Sequence, residues 1–145
     1  MNADRSVFWD DLAEDLQDPE FRKEYVLEAL RIATIDRLVN DLDAAREEAG
    51  LTKSELARVV GIEPSTVRRL FSSHSVNPTL ATVTEIATAL GLQVVLTPLP
   101  AEDSEQIVGA LRGTADGDLK GLADSLTAVK EKFATMNDAK TALTR

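Results

Sequence analysis

Residues 51–92 read LTKSELARVVGIEPSTVRRLFSSHSVNPTLATVTEIATALGL. The punctuation of this stretch sets where its helices start and stop. Thr52 suits a helix N-cap and Glu55 follows three residues on, the spacing of a capping box. A short helix is expected over residues 53–60, with Leu56, Val59 and Val60 as its apolar side. Gly61 stops it, where a residue free to take positive φ is needed. Pro64 then falls in the first turn of the next helix, the helical place that tolerates proline. That helix runs to about Phe71, with Val67, Leu70 and Phe71 apolar. Thr79 caps a further helix over residues 80–90, whose buried side is expected to be Leu80, Val83, Ile86, Ala87 and Leu90. Gly91 ends it.

Two short helices that cross steeply need a small residue at the crossing, a glycine in the turn and branched aliphatics on the second helix. Ala57, Gly61, Val67 and Leu70 supply them in that order. Helix, short turn, helix is the general DNA-reading motif. The spacing of these four residues resembles that of the lambda-repressor-like (Xre/Cro) family, as do Asn77-Pro78-Thr79-Leu80 and Ile86-Ala87-Thr88-Ala89-Leu90-Gly91. The same helix pair reused for protein contacts, with no DNA role, stays open as the alternative.

Ahead of the motif, Asp18-Pro19-Glu20 is a strong helix start, and neither Gly nor Pro follows until Gly50. Phe21, Tyr25, Ala29, Ile32 and Ala33 form one apolar stripe; Ile35, Leu38, Val39, Leu42, Ala45 and Ala49 form another. One long helix would fit, but Thr34-Ile35-Asp36 has the look of a new cap, so a break or bend is expected near Thr34. Before it, Ser6 to Gln17 reads as a short amphipathic helix with Phe8, Trp9, Leu12 and Leu16 at helical spacing. The aromatic pair either docks on the core or grips a partner.

Behind the motif, residues 92–99 (LQVVLTPL) change period. Leu92, Val94 and Leu96 alternate with Gln93, Val95 and Thr97, so one short strand is expected. A lone strand must pair with a second copy of itself or pack on its own helices. Residues 100–145 are polar, with Gly109, Gly113, Gly117 and Gly121 at a four-residue step. Helical pieces are expected over 103–111 and 119–136, the second carrying Leu119, Leu122, Leu126, Val129 and Phe133 on one side. This tail is expected to be a mobile arm, or an amphipathic helix for a partner. The fold class is thus all-α: an N-terminal helical extension (1–34), a helix-turn-helix bundle with a terminal strand (35–99), and a helical or mobile C-terminal tail (100–145).

The opening DPEFRKEY, the helix before LTKSELA, NPTL and the Ala-Leu-Gly-Leu ending resemble the HigA-like addiction-module antitoxin branch of the family, over about residues 18–98. The resemblance implies a repressor of its own operon that also binds a ribonuclease-type toxin. It also places the second helix of the motif in the major groove. Ser65, Arg68 and Arg69 would then face base edges, with Lys53 and Thr66 on phosphates and Pro64 at an early outward position. Pro64 cannot read a base by hydrogen bonding, so specificity rests on fewer side chains than in relatives with a long polar residue there. Glu63 is an acid beside the groove.

A net charge of −9 bears on that reading only after it is divided by region. Residues 1–50 carry six basic and fourteen acidic residues; residues 51–100 carry four and three. Ions screen charge beyond about 8 Å at physiological salt. DNA therefore meets the local surface, with Lys53, Arg58, Arg68 and Arg69, rather than the total. The acidic total still predicts weak non-specific binding, and the acidic first half suits a basic partner such as a toxin. Cysteine is absent and histidine occurs once, so no disulfide, thiol chemistry or metal site is expected. That histidine, His74, either stays solvated or meets a phosphate. Acidic pairs such as Asp10-Asp11 and Glu47-Glu48 sit on polar helix faces, and no nucleophile–base pair or phosphate loop stands beside them. A non-enzymatic, cofactor-free, cytoplasmic protein is expected, with double-stranded operator DNA and a second copy of itself as partners and no membrane segment.

Overall fold

The computed structural model describes residues 10–72, 76–114 and 118–143, with side chains as far as Phe133. All of its regular elements among these residues are helices. After a helical turn over residues 10–15 come α1 (Pro19–Glu48), α2 (Lys53–Val60), α3 (Pro64–Ser72), α4 (Leu80–Ala89), α5 (Ala101–Arg112) and α6 (Leu119–Leu143). Asp18 starts α1 as its residue type suggests: its carboxylate accepts the Glu20 amide at 3.0 Å and its carbonyl the Arg22 amide at 2.9 Å. Phe8, Trp9 and His74 lie outside the described residues.

Two expectations are corrected. The helix does not break at Thr34 but runs unbroken from Pro19 to Glu48. Inside a helix Thr and Asp each cost only about 0.7 kcal/mol relative to Ala, so a long run free of Gly and Pro carries through them. Nor is there a strand among the described residues: 92–99 has no regular secondary structure. A strand takes its hydrogen bonds from a neighbour, and no other described segment of the chain offers one.

The chain divides into two compact units, one built on residues 34–97 and the other on the chain up to Ala33 with 98–136. The first is the helix-turn-helix bundle. Its core joins Val39 and Leu42 of α1, Leu56 and Ala57 of α2, Val67 and Leu70 of α3, and Val83, Ile86 and Ala87 of α4. Leu56, Ala57, Val67 and Ile86 are fully buried. Val59 and Leu80, expected inside, stand 62% and 72% exposed. Helical period places a residue on a side of the helix but does not say how wide the covered stripe is.

The second unit has its own core of Val26, Ile107, Ala110, Leu122, Leu126 and Val129, with Tyr25, Leu30, Leu99, Leu111 and Phe133 against it. Lys130 lies over the Tyr25 ring, 5.9 Å from its centroid. The tail is therefore neither a loose arm nor a free amphipathic helix over these residues: its apolar stripe is covered by the first half of α1. Asp118 starts α6 by accepting the Gly121 amide at 2.9 Å, and Gln106 of α5 donates to its other oxygen at 3.3 Å. No helix among the described residues is long and apolar enough to cross a membrane.

Candidate nucleic-acid interface

The site is built by local bonds that fix the angle between α2 and α3. The Thr52 hydroxyl accepts the Glu55 amide at 3.1 Å, and the Glu55 carboxylate accepts the Thr52 amide at 3.3 Å. This is the capping box read from the sequence. At the other end Gly61 takes φ 82°, and its amide closes on the Ala57 carbonyl at 2.8 Å. The Ile62 amide shares that carbonyl at 3.0 Å. A Cβ at Gly61 would meet nothing within 4 Å, so the constraint there is the left-handed backbone alone. Gly61→Ala is expected to cost about 1–2 kcal/mol of stability, read by urea denaturation followed by circular dichroism. An unchanged midpoint would show that the turn relaxes freely.

With the angle fixed, burial decides which side of α3 faces out. Val67 and Leu70 point into the core and Phe71 lies beside them, half-buried. At 100° per residue the opposite side of the helix carries Ser65, Arg69 and Ser72, flanked by Arg68 and Thr66; all five are exposed. Ser65 and Arg69 are one turn apart on that face, as expected. Pro64 is half-buried on the Phe71 side of α3, away from its most outward line. Lys53, half-buried, is the first residue of α2. Ser72 was not singled out in the sequence; its i+7 spacing from Ser65 is the signal. Its hydroxyl donates to the Arg68 carbonyl, which ties it to the helix end.

The charges divide between two roles. Arg37 pairs with Asp41 at 3.5 Å, and Arg46 with Asp43 at 2.8 Å and Glu47 at 3.6 Å. Lys53, Arg58, Arg68 and Arg69 enter no ion pair among the described residues. The cations of α1 in this unit are thus tied to their own helix, whereas those of α2 and α3 stay open to an outside anion. Arg58, read from the sequence as one of the four local cations, lies on the exposed side of the last turn of α2.

Arg46 is a second residue that sequence reading passed over. Its side chain is only 12% exposed. It donates to the Leu51 carbonyl at 2.6 Å and to Asp43 at 2.9 Å, and its guanidinium lies 5.9 Å from the centre of the Phe71 ring. It thereby links the end of α1, the entry to α2 and the last turn of α3. The available signal was Asp43 three residues before a cation in the last turn of a helix. Arg46→Met keeps the apolar stem but removes every one of these bonds. A loss of about 1–3 kcal/mol is expected, measured by thermal denaturation; an unchanged melting temperature would remove Arg46 as the link.

Residues 42–96 match the family model described as helix-turn-helix. No curated protein and no solved structure matched the chain. The matched span starts in the last turns of α1 and takes in α2, α3, α4 and part of the irregular segment after it. It is a segment of the kind found in DNA-binding transcriptional regulators.

Proposed function

We propose that this helix-turn-helix protein is a dimeric, sequence-specific repressor that also serves as the antitoxin of a toxin–antitoxin pair. The observation that carries the DNA reading is the outward face of α3: Ser65, Arg68 and Arg69 are exposed and the two arginines lack acidic partners, above a scaffold that buries Val67 and Leu70. Arginine forks onto guanine O6 and N7 in the major groove, a role that falls to Arg69, with Arg68 on a base or phosphate and Ser65 beside them. Lys53 and Thr66 take phosphates, and Pro64 lies at the edge of the face. Residues 35–99 would read DNA, and the toxin would be held by residues 1–34, by residues 100–145, or by both. Its basic character is inferred from the fourteen acidic residues in the first fifty.

A second reading is favoured by one observation. Over their described side chains, the tail helices α5 and α6 bury Ile107, Ala110, Leu122, Leu126 and Val129 in one core with Val26 of the chain's own α1, which leaves less of their apolar stripe for a partner. A stand-alone regulator with a folded appended unit fits this equally. Co-expression with the product of the adjacent reading frame separates the two: a stable complex supports the antitoxin, and its absence leaves the stand-alone regulator.

DNA binding is tested by titrating the protein against its own upstream duplex and a scrambled one. Preference for the upstream duplex of about 10³-fold or more is expected of a specific reader. If Lys53 and Arg68 of both copies meet phosphates, four cations displace counterions. Affinity then falls about 150-fold between 50 and 200 mM salt, from a slope of about −0.9 per contact. Equal affinity for both duplexes, or none, would leave only a protein-contact role for the motif.

A further inference from the structure

The second unit carries a groove of about 590 Å³ between the helical turn of residues 10–15 and α6. Its floor includes Ala13, Leu119, Ala123 and Thr127, all half-buried, and Asp10 and Asp124 stand exposed at its rim. The core takes a different side of α6: Leu122, Leu126 and Val129 are buried there with Val26, Ile107 and Ala110. Ala13 on one wall and Ala123 on the other are short side chains, and they leave the space open.

Asp10, the first described residue, lines this groove, and Trp9 directly precedes it in the chain. The apolar period of the sequence puts residues 8, 9, 12 and 16 on one side of a helix. Its two described members are inside: Leu16 is fully buried and Leu12 is 8% exposed. Residues four apart are neighbours on a helix surface. The period thus sets Phe8 one turn ahead of buried Leu12, and Trp9 one turn ahead of Ala13 on the groove floor.

We propose that this groove is the seat of the chain's own Trp9, with Phe8 beside Leu12, so that the aromatic pair latches the N-terminal segment onto α6. A tryptophan brings about 150–250 Å² of surface to bury, and its N–H wants an acceptor once covered. The groove offers both. Ala13, Leu119 and Ala123 can meet the ring. The Thr127 hydroxyl donates its hydrogen to the Ala123 carbonyl at 2.9 Å, which leaves its lone pairs for an indole N–H. The Asp124 carboxylate at the rim is a second acceptor. The chain's own pair is favoured over an outside aromatic because one peptide bond already ties Trp9 to a lining residue, whereas a free partner gives up translational and rotational freedom to bind. The latch stands apart from the DNA and toxin readings. It assigns the aromatic pair to the fold, and a ligand that takes the groove must displace Trp9.

The test uses the full chain, which has one tryptophan and no cysteine, so the intrinsic tryptophan emission belongs to Trp9 and a single introduced thiol takes one label. Bimane, which tryptophan quenches on contact, is attached at Ala128→Cys, exposed on the edge of the groove, and as a control at Glu105→Cys, exposed on α5. Bimane at 128 is expected to lose most of its emission and to regain it when Trp9→Phe is added; bimane at 105 should stay bright in both backgrounds. Both labelled positions are exposed, so the substitutions spare the fold, and unchanged circular dichroism checks this. In the unlabelled protein Trp9 should be shielded from acrylamide, and Ala123→Gln, which fills the groove, should remove the shielding. A bright label at 128 in the Trp9 background overturns the proposal. So does a Trp9 that acrylamide quenches as freely as in urea. Quenching at 128 that disappears on dilution also overturns it, because the tryptophan then comes from a second copy.

Discussion

Arg69→Ala is expected to weaken binding to the upstream duplex by about 5- to 150-fold per half-site, the worth of one arginine–guanine fork. The effect should compound when both copies of a dimer carry the change. Arg69 lies on the outward line of α3, exposed and without an acidic partner among the described residues. Its removal therefore leaves no buried group orphaned, and the melting temperature should stay within the small range of surface substitutions. Specificity should fall with affinity: the variant should discriminate less at one base pair of each half-site while its salt slope changes little. Arg68→Ala is the contrast. If that arginine meets a phosphate, the loss is uniform across sequences and the slope drops by about one for each lost contact. Competition titrations of both variants at fixed salt check this. An Arg69→Ala protein with wild-type affinity and wild-type preference would leave α3 without its reading residue.

Leu56→Ala acts on the scaffold and carries the other large effect. Leu56 is completely buried among Ala57, Val67, Leu70, Val83 and Ile86. Truncating a leucine in such a place costs about 2–5 kcal/mol, because the neighbours collapse only partly into the space. Against a typical total of about 5–15 kcal/mol, the loss is a large fraction. It belongs to the unit of residues 34–97; the core around Val26 and Leu122 should keep its own transition. Circular dichroism is the suitable probe, since Trp9, the one tryptophan, lies outside residues 34–97. A single loss shared equally by the whole chain would show that the two units unfold as one. No loss at all would mean that Leu56 does not sit where α1, α2, α3 and α4 meet.

The features legible in the sequence are those whose cause is local. Thr52 and Glu55 cap α2 through bonds three residues apart, and Gly61 and Pro64 mark the turn through their own backbone preferences. The outward positions of α3 came from the family resemblance; Ser65, Arg68 and Arg69 are exposed, whereas Pro64, also placed outward, is half-buried on the Phe71 side. What sequence reading missed depends on distant parts of the chain. Nothing near Leu122 or Val129 says that their stripe meets Val26 about a hundred residues earlier. Val59 and Leu80 fit an apolar period, yet both stand mostly exposed. The local cap signal at Thr34-Ile35-Asp36 lost to the cooperativity of a helix already begun. Residues 92–97 have the pattern of a strand, but pattern does not supply a second strand, and among the described residues they form none.

The central claim is that DNA is met by the outward face of α3. Its most direct test is an amide chemical-shift map of the isotope-labelled protein with and without the upstream duplex. The largest changes are expected in residues 52–54 and 63–72, with 101–112 and 119–133 nearly unmoved. Changes concentrated in α5 and α6, with α3 silent, would contradict it.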